Sequence, residues 1–446
     1  MVTTQAAPAK ATAGIWNPTM ETLPRSEIEV LQSERLVHQV RYVYENAPVF
    51  RQIYDEAGVK PSDIHGLQDL HKLPIVEKDH LRAFREQHGD VFGGGRCVPT
   101  SQLYLVNHSS GTTGRPTVYG LTKRDHDTVS EIFARVLYAM GIRPGYKMTV
   151  LSSIHWHGYV IGLESGAQRI GAVPFRIAGG PQDVAPTMFE RFPDADFDTI
   201  ISYQPELEMA YIREHSIRPR EYFPNLKFLY SAVDMSDARR RMIERVWERP
   251  IHNSGGSGDQ YYGGGECEHS APYYHMPDDY FIFEVLDPFT HEPVPPGGTG
   301  ELFVTNLWAE GFPYIRYRME DMVTYQTEQC DCGRTSMRLR ILGRLPWSVD
   351  VQGKRIFSIE VEDVVWDHPQ LEAVNYQLVR QRQQPQDQLE VRLAPDEPIP
   401  NQDYIAGEVS EALSARFGVP ASVTFLEKGA IGLKGFIKMQ RVVDAE

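Results

Sequence analysis

The chain has 446 residues, 41% of them hydrophobic and 24% charged, which is the composition of a globular protein with room for more than one domain. A formal net charge of −15 argues against a general nucleic-acid binder, and no run reaches the roughly 18 apolar residues of a membrane span. Four cysteines are too few to staple a chain of this length, and "MVTTQAAPAKATAGIW" carries no apolar leader core, so reduced thiols and a cytoplasmic setting are expected.

In chain order, the first element with a chemical message is a strand over 103–107, followed by "HSSGTTGRP" and a second strand over 117–122. The loop gathers Ser109, Ser110, Gly111, Thr112, Thr113 and Gly114 ahead of Arg115. Glycines let backbone N–H groups converge on one point, and hydroxyls add donors beside them, so an anion such as a polyphosphate is the expected guest. The spacing is not GxxxxGK[ST] and no helix follows directly, which excludes a Walker-type loop. An ordinary Gly- and Ser-rich hairpin turn is the competing reading.

Next, Val129, Ile132, Phe133, Val136, Leu137 and Met140 recur at helical spacing until Gly141 and Pro144 end the run. Strands follow over 147–152, 172–177, 198–203 and 226–232, with helices over 158–170, 205–215 and from Ser236, the expected N-cap. This α/β alternation predicts a largely parallel sheet covered by helices. Beyond about Gly264 the texture turns strand-rich, in "YFIFEVLD", "GELFVTNL", "DMVTYQ" and "RLRILGR", which predicts a smaller β subdomain. From Arg344 onward a shorter β/α pattern predicts a small α/β C-terminal domain, dividing the chain into 1–343 and 344–446.

Taken in order, "IWNPTMETLPRSEIEVLQSERL", "VYENAPVFRQIYDEAGVKPSDIHGLQDLHKLPIVEKDHLR", "SSGTTGRPTVYGLT", "ECE…H", "GELFVTNL", "IRYRMEDMV", "CDCGRT", "LGR" and "KMQRVVD" resemble the phenylacetate–CoA ligase branch of the adenylate-forming superfamily nearly end to end. The resemblance implies a mixed-sheet adenylation domain with a mobile C-terminal domain. It also implies a reaction in which ATP, with Mg²⁺, and a carboxylate form an acyl-adenylate that passes to coenzyme A. Ser109 to Gly114 would then wrap the β and γ phosphates, with Arg115 where a lysine is usual. Asp321 would bind the ribose hydroxyls, and Arg344 would touch ribose or phosphate at the domain junction. Lys438 would bring an ammonium to the α-phosphate as negative charge builds there, with Lys434 as a rival. The pocket-lining segments of the family correspond to His155, Trp156, His157, Tyr159 and Tyr203, whose polar and aromatic character suits a compact aryl or heteroaromatic acid.

Cys267, Cys330 and Cys332 with His275 make a four-coordinate set suited to structural Zn²⁺, His269 being the alternative imidazole; Cys97 stands apart. The sequence also departs from the family. Counting back from "ECE" puts Asn253 where the adenine-stacking tyrosine belongs and Ser257 at the glutamate, and a shift of two residues would offer Asp259 as the acid instead. The adenine segment reads Ser231, Ala232, Val233, Asp234, and the hinge reads Leu345-Pro346-Trp347 in place of paired aspartates. A proline fixes φ where a hinge must turn. These departures leave open a ligase that passes its acyl-adenylate to an amine in place of CoA, and a non-catalytic nucleotide-binding homologue. Small-molecule partners are expected, without nucleic acid or membrane, and a homodimer is compatible with the sequence.

Overall fold

A computed structural model describes residues 14–109, 115–151, 157–202, 204–432 and 440–445. The first strands, β1 (Leu105–His108) and β2 (Val118–Leu121), form an antiparallel two-stranded sheet that carries the Ser/Thr/Gly loop between them. Thr122 then caps the helix Lys123–Ala139, accepting from the Asp125 N–H, while the Asp125 carboxylate accepts from the Thr122 N–H.

The strands β3 (Lys147–Leu151), β4 (Val173–Ile177), β5 (Thr199–Ile201), β6 (Phe228–Ser231) and β7 (Ile251–Ser257) pair in parallel. They are followed by β8 (Tyr262–Gly265), β9 (Tyr274–His275), β10 (Phe281–Leu286), β11 (Thr299–Asn306), β12 (Tyr317–Gln326) and β13 (Arg338–Arg344), which pair antiparallel. Together they make one eleven-stranded sheet in the order β10-β11-β12-β13-β9-β8-β7-β6-β5-β3-β4. The expected β subdomain is therefore the antiparallel half of the same hydrogen-bonded sheet. β7 joins the halves: Ile251 to Asn253 pair in parallel with β6, and Ser254 to Ser257 pair antiparallel with β8. Two helices, Lys123–Ala139 and Gly158–Ile170, pack on this region at close range. A Cβ at Gly162 or Gly166 would lie 2.4 or 2.6 Å from Phe133, so only glycine allows the approach.

β13 runs into a single 3₁₀ turn, Leu345–Trp347, with Pro346 in its first turn. A hairpin of β14 (Ser348–Val351) and β15 (Lys354–Phe357) follows, then the helix Ser358–Asp367. β16 (Asn375–Arg380), β17 (Leu389–Ala394), β18 (Ala421–Phe425) and β19 (Val442–Asp444) form a four-stranded sheet, ordered β18-β17-β16-β19, packed by the helix Gln402–Phe417. This is the α/β unit expected after Arg344. Its Ser358–Asp367 helix packs against the helix Asp237–Trp247 of the large sheet domain. Ser236 caps the latter helix as expected, accepting from the Arg239 N–H at 3.0 Å. Among the described residues no helix is long and apolar enough to cross a membrane.

Candidate active site

The β7–β8 hairpin reverses through Gly258, Asp259, Gln260 and Tyr261, the last held at φ 53°. A bulky residue takes that left-handed conformation only when its surroundings hold it there. Here the holding contacts are specific: Asn107 Nδ2 of β1 donates to the Tyr261 hydroxyl at 2.8 Å, and the Tyr261 ring meets Tyr119 of β2 edge to face at 5.6 Å. The turn is thereby docked on the hairpin that carries the phosphate-type loop. From the other side the helix Gly158–Ile170 closes on it. A Cβ at Gly158 would sit 2.2 Å from the Gly258 carbonyl oxygen, and one at Gly258 would strike the His157 imidazole at 2.6 Å.

Asp259, at the tip of this turn, is half-buried and faces a ring of hydroxyls and cations. Tyr119 is hydrogen-bonded to it. Burial raises the hydroxyl pKa of Tyr119, Tyr261, Tyr314 and Tyr317, and the Asp259 charge raises them further, so all four stay protonated donors. Lys78 lies close enough that the Asp259 charge counters the desolvation that lowers its ammonium pKa. The sequence reading missed Lys78 and all four of these tyrosines; the available signal was the helix Lys78–His88, where Lys78, Arg82 and Arg85 recur at i, i+4 and i+7. Arg82 and Arg85 join Arg115 in lining a cavity of about 230 Å³ beside the loop, and Arg85 donates to the Pro116 carbonyl at 2.9 Å.

Asp321 and Arg344 are opposed across β12 and β13. β12 is bulged beside them: Glu301 pairs with Met322 but Phe303 with Arg318, and Glu320 sits at φ 60°. The Arg344 Nε donates to Asp321 Oδ1 at 3.4 Å, its Nη2 to the Met319 carbonyl at 3.3 Å, and its guanidinium lies 5.6 Å from the Trp347 ring. Burial opposes the charge of Arg344, but Asp321, Glu320 and Asp259 outweigh it and raise the pKa.

The adenine-type segment is tied to β7. Asn253 is fully buried, its Nδ2 donating to the Val233 carbonyl at 2.8 Å and to the Tyr274 hydroxyl at 2.9 Å. Ser231 is likewise buried and donates to the Ser202 carbonyl at 2.5 Å. Asn253 and Ser231 thus brace this segment through buried hydrogen bonds, while Ala232 and Val233 are half-buried. Tyr159 is 5% exposed and packs edge to face on Phe133 at 4.9 Å. Ser257 is half-buried at the end of β7. Ser109 is buried and its hydroxyl accepts from the Thr117 N–H at 3.0 Å, closing the base of the loop. Ser110, Gly111, Thr112, Thr113, Gly114, His155, Trp156, Tyr203, Lys434 and Lys438 lie outside the described residues.

Away from this site, Cys267, His275, Cys330 and Cys332 gather with ligand atoms within 4.8 Å of one another. Cys267 Sγ lies 3.5 Å and Cys332 Sγ 3.4 Å from His275 Nε2, and Cys267 and Cys330 are 3.8 Å apart. His275 Nδ1 meets Ser336 Oγ at 3.1 Å, which leaves Nε2 for the cluster. Burial lowers the His275 pKa, favouring the neutral imidazole that binds metal. His269 is turned to Glu268 instead. A soft sulfur-rich set of four donors in this geometry fits Zn²⁺.

Comparison with known proteins follows the same lines. Residues 353–446 match the family model described as the AMP-binding enzyme C-terminal domain. The chain is 32% identical to a phenylacetate–coenzyme A ligase of Thermus thermophilus, covering 96% of this chain and 99% of that protein. It superposes with a TM-score of 0.85 on 2-hydroxyisobutyryl-CoA ligase in its postadenylation state, bound to the acyl-adenylate, at 26% identity over 99% of this chain and 94% of that one. On the same ligase with acyl-adenylate and CoA in the thioesterification state, with the same coverage, the TM-score is 0.69.

Proposed function

The chain belongs to the phenylacetate–coenzyme A ligase family, and on that premise we propose how its residues divide the work of an AMP-forming acid–thiol ligase. The enzyme activates a carboxylic acid with ATP and transfers the acyl group to CoA. In the first half-reaction a carboxylate oxygen attacks the α-phosphorus and pyrophosphate leaves. In the second, the CoA thiol gives up its proton and attacks the acyl carbon, and AMP leaves.

The observation that carries the assignment of roles is the turn at Asp259, pinned between the phosphate-type hairpin and the helix Gly158–Ile170. We assign Asp259, not Ser257, as the acid that holds Mg²⁺ with the polyphosphate, because Asp259 faces Lys78 and Arg344 from the tip of that turn. Arg115, Arg82 and Arg85 supply positive charge along the phosphates. Asp321 takes the ribose, with Arg344 fixing the carboxylate's orientation across the strand pair. Lys438 is assigned to the α-phosphate. We assign a compact acid, aryl or heteroaromatic, as the substrate, on the polar and aromatic character of His155, Trp156, His157, Tyr159 and Tyr203. Residues 1–343 bind ATP and acid, residues 344–446 form the mobile domain, and the reaction is placed in the cytoplasm. Zn²⁺ held by Cys267, His275, Cys330 and Cys332 acts as a structural cross-link.

The test is acid-dependent ATP–pyrophosphate exchange over a panel of short aryl, heteroaryl and fatty acids, followed by product analysis with CoA and with an amine panel. Exchange with a compact acid and formation of its CoA thioester are expected, and Lys438→Ala should lower exchange at least a hundredfold. Best turnover of long-chain fatty acids would overturn the substrate class. An amide product with CoA ignored would replace the acceptor.

A further inference from the structure

The two domains meet through a buried ionic cluster centred on one carboxylate of the small domain. Glu362, on the helix Ser358–Asp367, is 2% exposed. Arg239, on the helix Asp237–Trp247 of the large domain, grips it with both ends of its guanidinium: Nε to Oε1 at 2.9 Å and Nη2 to Oε2 at 2.8 Å. Arg239 also pairs with Glu206 at 2.5 Å and lies 4.8 Å from the Trp366 ring. Glu362 further accepts from the Ser236 hydroxyl at 2.6 Å and from the Tyr376 hydroxyl at 3.1 Å. Its second cation is Arg441, at 4.0 Å, whose guanidinium stacks over Tyr376 at 4.2 Å.

The surrounding contacts repeat the theme. Asp363 accepts from the Ala238 N–H at 2.9 Å, so a carboxylate of the small domain caps a helix N-terminus of the large one, with the charge on the side the helix dipole favours. At the rim Arg241 pairs with Asp367 at 2.9 Å, and Arg213 and Arg245 converge on Glu372. These contacts, like Arg239–Glu362, cross the domain boundary with the anion on the small domain and the cation or helix N-terminus on the large one. A charge buried this deeply is strongly penalised when its partner withdraws, because neither water nor another cation replaces it at once.

We propose that Glu362 is a positioning residue that holds the small domain in the adenylation arrangement, by engaging Arg239 across the interface and Arg441 on its own side. The inference rests on the ligase reading above and deepens it. Arg441, which the same cluster holds, stands three residues after Lys438 in the chain. The superposition agrees with this: the chain matches the postadenylation form of 2-hydroxyisobutyryl-CoA ligase better than its thioesterification form, 0.85 against 0.69 in TM-score. Glu362 touches no reacting atom. It biases which half-reaction the molecule is arranged to perform.

The half-reactions separate this role from simple support of the fold. Pyrophosphate exchange with the best acid of the panel reads adenylation, and thioester formation from that acid's synthetic acyl-adenylate plus CoA reads the second step. In Glu362→Gln, exchange should fall at least tenfold while the second step stays within twofold of wild type. Glu372→Arg at the rim, which disturbs neither domain's core, should shift the same ratio in the same direction and raise the radius of gyration in small-angle scattering. Equal loss in both steps, or no loss in either, in folded variants would overturn the proposal. If the wild type performs neither step, the ligase reading fails, and scattering still decides the latch: unchanged dimensions in Glu372→Arg reject it.

Discussion

Asp259 and Ser257 are two positions apart in one turn, and only their settings distinguish them. Asp259 confronts Lys78, Arg344 and a buried tyrosine ring, whereas Ser257 closes a strand. Asp259→Asn keeps the shape and removes the charge, so exchange is expected to fall at least a hundredfold, while Ser257→Ala should stay within about threefold; the reverse ranking in the same assay would reassign the acid. Spacing alone could not choose between them, because the choice is made by a left-handed Tyr261 that re-aims the turn. The two histidines posed the same problem. β9 pairs with β13, setting His275 opposite Arg338 and so beside the Cys330–Cys332 turn, a long-range register that no local pattern encodes. The structure does bring together Asp321 with Arg344, and the three cysteines with His275, residues that the sequence singled out by chemical type. A different residue sets a pH limit. His252, on β7, is half-buried and meets the Phe228 ring of β6 edge to face at 5.1 Å, and desolvation, aided by Arg240, lowers its pKa to about 4. The unfolded chain then binds a proton that the folded chain refuses between about pH 6.5 and 4, so stability falls as pH drops through that window, by up to about 1.4 kcal/mol per pH unit for this one group. Chemical denaturation of His252→Asn across that range should show a shallower acid slope than wild type.

Among the elements, helices and parallel strands follow from their hydrophobic spacing, and the β subdomain expected beyond Gly264 is the antiparallel half of one continuous sheet. The reason is physical: β7 changes from parallel to antiparallel pairing within one strand, and sequence texture records the change without recording that the hydrogen bonds continue. The Cys267–His275–Cys330–Cys332 cluster, whose His275 lies on β9 between β13 and β8, is joined to the segment near Glu21. Arg334, 2% exposed, donates to Glu21 at 2.6 Å and to the Gly14 carbonyl at 2.8 Å, and the Thr335 hydroxyl donates to the Leu23 carbonyl at 2.6 Å. One zinc per chain is expected by elemental analysis of gently purified protein. Its removal should lower the melting temperature by several degrees and open the segment near Glu21 to protease before the site near Asp259 loses its substrates. Full activity loss at unchanged melting temperature would contradict the structural role.

At the scale of the molecule, the division near Arg344 was visible because the α/β alternation restarts there, and the arrangement of the two units was not, because it depends on charges that lie far apart in the chain, such as Arg239 and Glu362. Pro346 and Trp347, which read as an obstacle to turning, form a compact 3₁₀ turn that Arg344 touches from the site. Through this contact the Arg344 side chain links Asp321 to the turn between the two sheets. The unbroken eleven-stranded sheet has a consequence of another kind. Its ladder passes from the parallel half to the antiparallel half without an edge, so neither half can open alone without breaking β7. Amide protons along β6, β7 and β8 should therefore exchange together, at the slowest rate in the protein, as one cooperative unit, and calorimetry should resolve the small domain as a separate, salt-sensitive shoulder beneath a single large transition.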